Sequence, residues 1–231
     1  MPTTTAPTPA RTTHLDDARL TRALLTAGVV AGPLYVGTSL TQALTREGFD
    51  LTRHPWSALA HGDLGWVQVT NLIVTGALVV VLAVGLRRAL TPGHGAVWAP
   101  RLVGAYGAGM IAGGVFRADP VPGFPEGTTA ADADVTWHGL AHLASGAIGF
   151  VCLTAACLVL ARRFATEGCR GWSVASAVVG VAFLGAFVGI ASGAGSRTTI
   201  VAFVVAVVVV FAWMTALAAA QRRTARSGLS M

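Results

Sequence analysis

Lysine is absent: all 16 basic residues of the 231-residue chain are arginines. Charge of any kind is scarce. Charged residues make up 11% of the chain, against about 25% in a typical soluble protein. Hydrophobic residues reach 54%. A soluble core beneath a wetted surface is excluded by that balance, and lipid is the solvent that suits it. Cysteine is rare too. Cys152 and Cys157 lie in an apolar run and Cys169 in a short Arg-flanked loop, which excludes a disulfide framework. The net charge of +6 does not point to nucleic acid, because the arginines fall in short groups between apolar runs. A phosphate-binding Gly-rich loop, a nucleophile elbow, an HExxH pair and a dinucleotide fingerprint are all missing.

What the chain does have is long apolar runs, at about 23–43, 65–86, 98–116, 137–161, 172–193 and 199–220. Each approaches the roughly 20 residues that cross a hydrocarbon core at a rise of about 1.5 Å per residue. Stretches such as Val204–Val210 do not alternate, as barrel strands would. Backbone satisfaction in lipid then leaves helices. The expected fold is all-α, a polytopic membrane bundle of about six transmembrane helices over 21–221. A disordered cytoplasmic tail is expected at 1–20 and a short basic one at 222–231. The first run is too long for the apolar part of a cleaved signal peptide and reads as a retained helix.

Arginine placement sets the orientation. Twelve of the 16 arginines fall in one alternating set of connections and four in the other, namely Arg46, Arg53, Arg117 and Arg197. The positive-inside rule puts both termini in the cytoplasm of a cell-membrane protein. Trp56, Trp66 and Trp137 then mark the outer helix ends, and Trp98 and Trp172 the inner ones. Gly109 and Gly113 on the third helix, and Gly185, Gly189 and Gly193 on the fifth, recur every four residues and suit close helix approach. Pro33 is expected to kink the first helix. The sixth helix is Val-rich and nearly featureless, and is expected to face lipid.

Seven of the ten acidic residues and four of the six histidines fall on the outer side. Any site is expected there. In the first outer loop, Pro55 suits the first turn of a short helix. Trp56 and Leu59 would lie in the interface, with Arg53 and His54 facing polar groups. The third loop carries Arg117 and Asp119, which can pair with each other or with the first loop. The fourth helix opens with Asp134, His138, His142 and Ser145, spaced to share one face. Three roles are open for these histidines. They can bond neighbouring backbone or carboxylates, exchange protons beside an orienting carboxylate, or bind zinc with a third ligand such as Asp119. No metal is required by the sequence. His142, one turn deeper, is the first candidate, because ionisable groups inside a membrane need a partner and often mark function. Asn71 and Gln68 would bond across helices or extend the same pocket.

The outer loops resemble a known family. The step Ala31-Gly32-Pro33 is one element. Gly48-Phe49-Asp50, Arg53-His54-Pro55, Ser57 and Gly65-Trp66-Val67-Gln68 form a second. Phe116, Asp119-Pro120, Gly123-Phe124-Pro125, His138-Gly139 and His142 form the third. Together they resemble the domain-of-unknown-function 998 family of bacterial membrane proteins over most of 24–220. The resemblance implies a compact multi-helix membrane protein whose shared polar face holds Asp50, Arg53, His54, Ser57, Asp119 and His142. It implies no activity. The composition also resembles that of high-GC actinobacterial proteins.

Two functional readings stand nearly level. One is an enzyme with catalytic His142, Asp119, His54 and Asp50. Arg53, Ser57, Arg117, His138 and Asn71 would then hold a lipid, an isoprenoid or another hydrophobic intermediate. The other is a non-catalytic accessory protein that holds a lipid or a partner on the same face. A transporter ranks below both, because the fifth and sixth runs carry no ionisable residue.

Overall fold

The computed structural model describes residues 9–129, 134–194 and 196–227. Six long helices follow in chain order: α1 Pro9–Thr45, α2 Gly65–Ala89, α3 Trp98–Val115, α4 Trp137–Thr166, α5 Arg170–Gly189 and α6 Arg197–Ser227. A 3-10 turn, Trp56–Ala60, sits between α1 and α2, and a π-helical turn, Ile190–Ala194, follows α5. No strand forms among the described residues. Each helix packs on its neighbours in sequence, and α6 returns against α1, so the bundle closes as a ring.

Five of the six helices are long and apolar enough to cross a membrane. The exception is α3, where Pro100, Arg101 and five glycines dilute the apolar content of 18 residues. Packing compensates. Gly107 faces Gly76 so closely that an added Cβ on either would meet the other's carbonyl oxygen at 2.6 to 2.7 Å. Gly104 lies against Ala83, and Gly114 against Leu72 and Val69. Thus α3 runs antiparallel along most of α2, and glycine lets the two backbones meet. Gly109 and Gly113 work as their spacing suggests, touching Ser145, Gly149 and His142 of α4.

Four expectations need correction. The helix α1 reaches back to Pro9, inside the segment read as a tail. Proline suits a first helical turn, and Asp17 is tied to Arg88 at 2.8 Å. The glycine stripe of α5 is not a continuous seam: an added Cβ at Gly185 meets open space and one at Gly189 would touch Thr199 of α6 at 3.6 Å, while Gly180 is the residue pressed against Cys157. Nor is α6 merely a lipid-facing helix. Phe211, Trp213, Met214 and Leu217 are buried, and Trp213 donates to Ser176 Oγ of α5 at 3.1 Å. Valine packs equally well against lipid and protein, so its abundance did not reveal the face. Finally, α4 starts at Trp137, so Asp134 precedes the helix and shares no helical face with His138.

Polar bonds tie both ends of the ring. Between α1 and α2, Gln42 donates to Gln68 Oε1 at 2.9 Å, and Asn71 donates to Ser39 Oγ at 3.1 Å. At the opposite end, Arg163 of α4 donates to the carbonyls of Leu90 and His94 at 2.7 and 3.1 Å. The described parts of the two long loops, 46–64 and 116–129, lie together at the end that carries Ser39 and Gln68.

Candidate functional site

The first loop folds inward. Arg46, just past α1, donates to the carbonyls of Leu59 and His61, at 2.6 Å for Leu59, and lies 4.8 Å from the Phe124 ring. Partial burial lowers the pull of that guanidinium on its proton, and Asp63 offsets part of the effect. These bonds curl the chain over the ring of helices. Trp56 and Leu59 therefore end 4% and 0% exposed, rather than in the interface. Trp56 stands edge-on to Tyr35 at 6.0 Å.

Histidines stitch this loop to the next one. His54 is buried. Its Nδ1 accepts from the Asp50 amide at 3.0 Å and its Nε2 donates to the Pro122 carbonyl at 3.2 Å, which fixes one neutral tautomer. Phe49 and Phe124 pack on its ring at 5.4 and 5.8 Å. His61 Nε2 donates to the Ala118 carbonyl at 2.6 Å. Asp50 turns its carboxylate to Thr52, accepting from the amide at 2.8 Å and the hydroxyl at 2.7 Å. The Thr52 hydroxyl first, and then its amide, hold that carboxyl below the ordinary range. Both ring nitrogens of His54 and one oxygen of Asp50 are thus occupied in holding the loop together.

Asp119 has a similar employment. It accepts from the Thr136 hydroxyl at 2.5 Å and from the Thr136 amide at 3.1 Å. Thr136 in turn caps α4 by accepting from the Gly139 amide at 3.1 Å. A carboxylate at a helix N-terminus also complements the macrodipole. A side chain at residue 139 would collide with Asp119, which gives the His138-Gly139 pair its physical meaning. Arg117 is exposed, and no ion pair joins it to Asp119. His138 is exposed and stacks on Trp137 at 3.7 Å. The three-ligand reading of His138, His142 and Asp119 is not met: among the described residues no three His, Cys, Asp or Glu side chains group to hold a metal.

His142 is different. Its Nδ1 lies 2.9 Å from the Gly113 carbonyl and 2.9 Å from that of Phe116. Two carbonyl partners require Nδ1–H as a shared donor, so in the neutral ring the lone pair falls on Nε2. No described residue bonds Nε2. The ring lines a cavity within the bundle that opens at a mouth. Ser57 of the 3-10 turn and Ser145 of α4 line it beside His142. Its walls are Tyr35 of α1, Tyr106 and Met110 of α3, Phe150 of α4, and Phe203, Val207 and Phe211 of α6. Tyr35 stacks on Phe211 at 4.7 Å. Asn71 is not on this wall; it is bonded to Ser39 and the Tyr35 carbonyl. Arg53 lines a second, wider groove with Thr52, Val121 and Arg197.

Of the sequence candidates, the cavity therefore gathers His142 and Ser57, while His54, Asp50 and Asp119 secure the roof and the α4 cap. The carboxylate expected to orient a histidine is replaced by two backbone carbonyls. Sequence reasoning missed Arg46 and His61 as clamps and the aromatic wall as a whole. The short motif Gly123-Phe124-Pro125 was the available signal, since Phe124 is the ring on which Arg46, Phe49 and His54 converge.

Compared with known protein families, residues 29–222 match the one described as "Protein of unknown function (DUF998)". The chain belongs to that family. Comparison with curated proteins and with solved structures gave no match. In this DUF998 chain, the stretches 48–57 and 116–125 of the two loop motifs lie in the stitched roof, and the later motif runs on through the α4 cap to His142 on the cavity wall.

Proposed function

We propose that this DUF998 protein is a six-crossing membrane enzyme that performs acid–base chemistry on a hydrophobic molecule held inside the bundle. Its loop-bearing end faces the outside, and both termini lie in the cytoplasm. The one observation that carries the chemistry is His142. Its Nδ1–H is held by the Gly113 and Phe116 carbonyls, and its Nε2 is left unbonded beside the cavity. A histidine so fixed can take a proton at Nε2 and return it, while the two carbonyls stabilise the imidazolium that forms. The Ser57 and Ser145 hydroxyls are the polar groups nearest in kind to orient a substrate oxygen, and the aromatic wall suits a lipid, an isoprenoid or another apolar body. Six crossings are supported by the course of α3 along α2 and by the twelve-to-four split of arginines.

A paired substitution tests this reading. In His142→Asn, the side-chain amide can still donate to Gly113 and Phe116, but nothing replaces Nε2. In His142→Ala both are lost. Membrane extracts from cells making each variant are compared by untargeted mass spectrometry. The expected result is normal protein level for His142→Asn with loss of whatever product the wild type generates. Unchanged extracts at normal protein level for both variants would overturn the catalytic assignment.

The alternative is a non-catalytic lipid-holding accessory protein. It is favoured by one fact: Asp50 and Asp119, the carboxylates expected to orient a histidine, are bonded to Thr52 and Thr136 instead. In that case His142→Asn leaves host chemistry intact while ligand retention in purified protein falls.

A further inference from the structure

The wide groove and the central cavity meet along shared elements. Thr52, Arg53 and Pro55 line the groove, and the next two residues, Trp56 and Ser57, line the cavity. On α6, Arg197 and Ile200 line the groove, and Val204, Val207 and Phe211 line the cavity. That spacing of three and four residues is a single helical face running from charge to hydrocarbon.

The charge at the top is unspent. Among the described residues, neither Arg53 nor Arg197 enters an ion pair or a side-chain hydrogen bond. Asp50 feels the Arg197 charge, but its carboxylate is bonded to Thr52. At the junction, Trp56 is 4% exposed and its indole N–H has no partner. A buried donor without an acceptor costs free energy unless something supplies one.

We infer that the occupant is an anionic amphiphile, a single apolar chain bearing a phosphate or carboxylate head. The head lies between Arg53 and Arg197, its linking oxygen accepts from Trp56, and the chain descends past Val204 and Phe211. This names the substrate class for the cavity and rests on the reading that the cavity holds a hydrophobic molecule, though not on proton transfer by His142. Guanidinium groups suit such heads because their planar donors match phosphate and carboxylate oxygens.

The test uses the full-length protein in a neutral detergent, with dodecyl phosphate, dodecanol and inorganic phosphate as probes and native mass spectrometry as the readout. Dodecyl phosphate is expected to bind at least about tenfold more tightly than dodecanol, with inorganic phosphate weak. Arg53→Gln and Arg197→Gln should each remove most of that preference and leave dodecanol binding unchanged. Trp56→Phe keeps the packing but loses the donor, and should weaken dodecyl phosphate by several-fold. The measurement reads binding without turnover, so loss of the dodecyl phosphate preference in the arginine variants and loss of product in His142→Asn are separate outcomes, and either inference can fail alone. Equal binding of dodecyl phosphate and dodecanol would overturn the anionic head. Binding of inorganic phosphate as tight as that of dodecyl phosphate, lost with the arginines, would overturn the amphiphile in favour of a free anion. Full binding in both arginine variants would place the head elsewhere and likewise overturn it.

Discussion

A methyl group at residue 139 would occupy the space that the Asp119 carboxylate fills. Gly139→Ala is therefore expected to push Asp119 off Thr136 and loosen the α4 cap, at a cost of about 1 kcal/mol, comparable to losing a cap residue. Asp119→Asn should cost a similar amount, and thermal unfolding in detergent measures both. His54→Ala leaves the Pro122 carbonyl and the Asp50 amide without their partner, and should destabilise by about 1 to 3 kcal/mol. If His54 were catalytic instead, that variant would keep its stability and lose only product. Asp50 adds a pH dependence. Its carboxyl is held below the ordinary range, so its stabilising contribution is present above the unfolded value and is lost as pH falls through the lower folded one. Loop amide exchange followed through an acid titration should show residues 50–54 loosening only below the usual carboxylate range. At this scale the sequence was legible as to which polar residues the outer loops carry and illegible as to what each one bonds. His54 and His142 look alike in the chain. Only the placement of hydrogen-bond partners, at both nitrogens of His54 and at Nδ1 alone of His142, tells them apart.

The seam between α2 and α3 depends on side chains that are not there. Gly107→Leu would drive a branched side chain against the Gly76 carbonyl and the Val80 backbone and cannot be absorbed by a rotamer change. The expected cost is about 1 to 3 kcal/mol from overpacking, read from denaturant unfolding of purified protein. Gly185→Leu on α5 meets open space and should be neutral by the same assay. Helix existence was readable from the runs, and so were three starts, since α2 at Gly65, α3 at Trp98 and α4 at Trp137 begin where the apolar stretches do. The faces were not readable. Inside a membrane, apolar contact with lipid and with a neighbouring helix look the same in sequence, so α6 disclosed neither its buried Phe211 nor its place on the cavity wall. Trp56 misled for a related reason. Indole is at home at an interface, and nothing local announced that Arg46 would draw its turn beneath the loop.

For the molecule as a whole, the arrangement of charges predicts accessibility. Cys169 is native and exposed between α4 and α5, at the end opposite the long loops. In intact cells a membrane-impermeant maleimide should label Asp63→Cys and Glu126→Cys, and should reach Cys169 only after permeabilisation. Labelling of residues 63 and 126 from opposite sides would break the six-crossing arrangement. The ring closure by α6 against α1 was not legible, since no local signal encodes which distant helices meet. The roof has a consequence for biogenesis. His54 and His61 find their acceptors only at Pro122 and Ala118, which follow α3. A nascent chain that holds only its first two helices thus presents a first loop whose two histidines lack their acceptors, and the loop is complete only once residue 122 is in place. Ribosome-released fragments ending before Arg117 should accordingly be cleared by membrane quality-control proteases, whereas those extending beyond Thr136 should begin to survive.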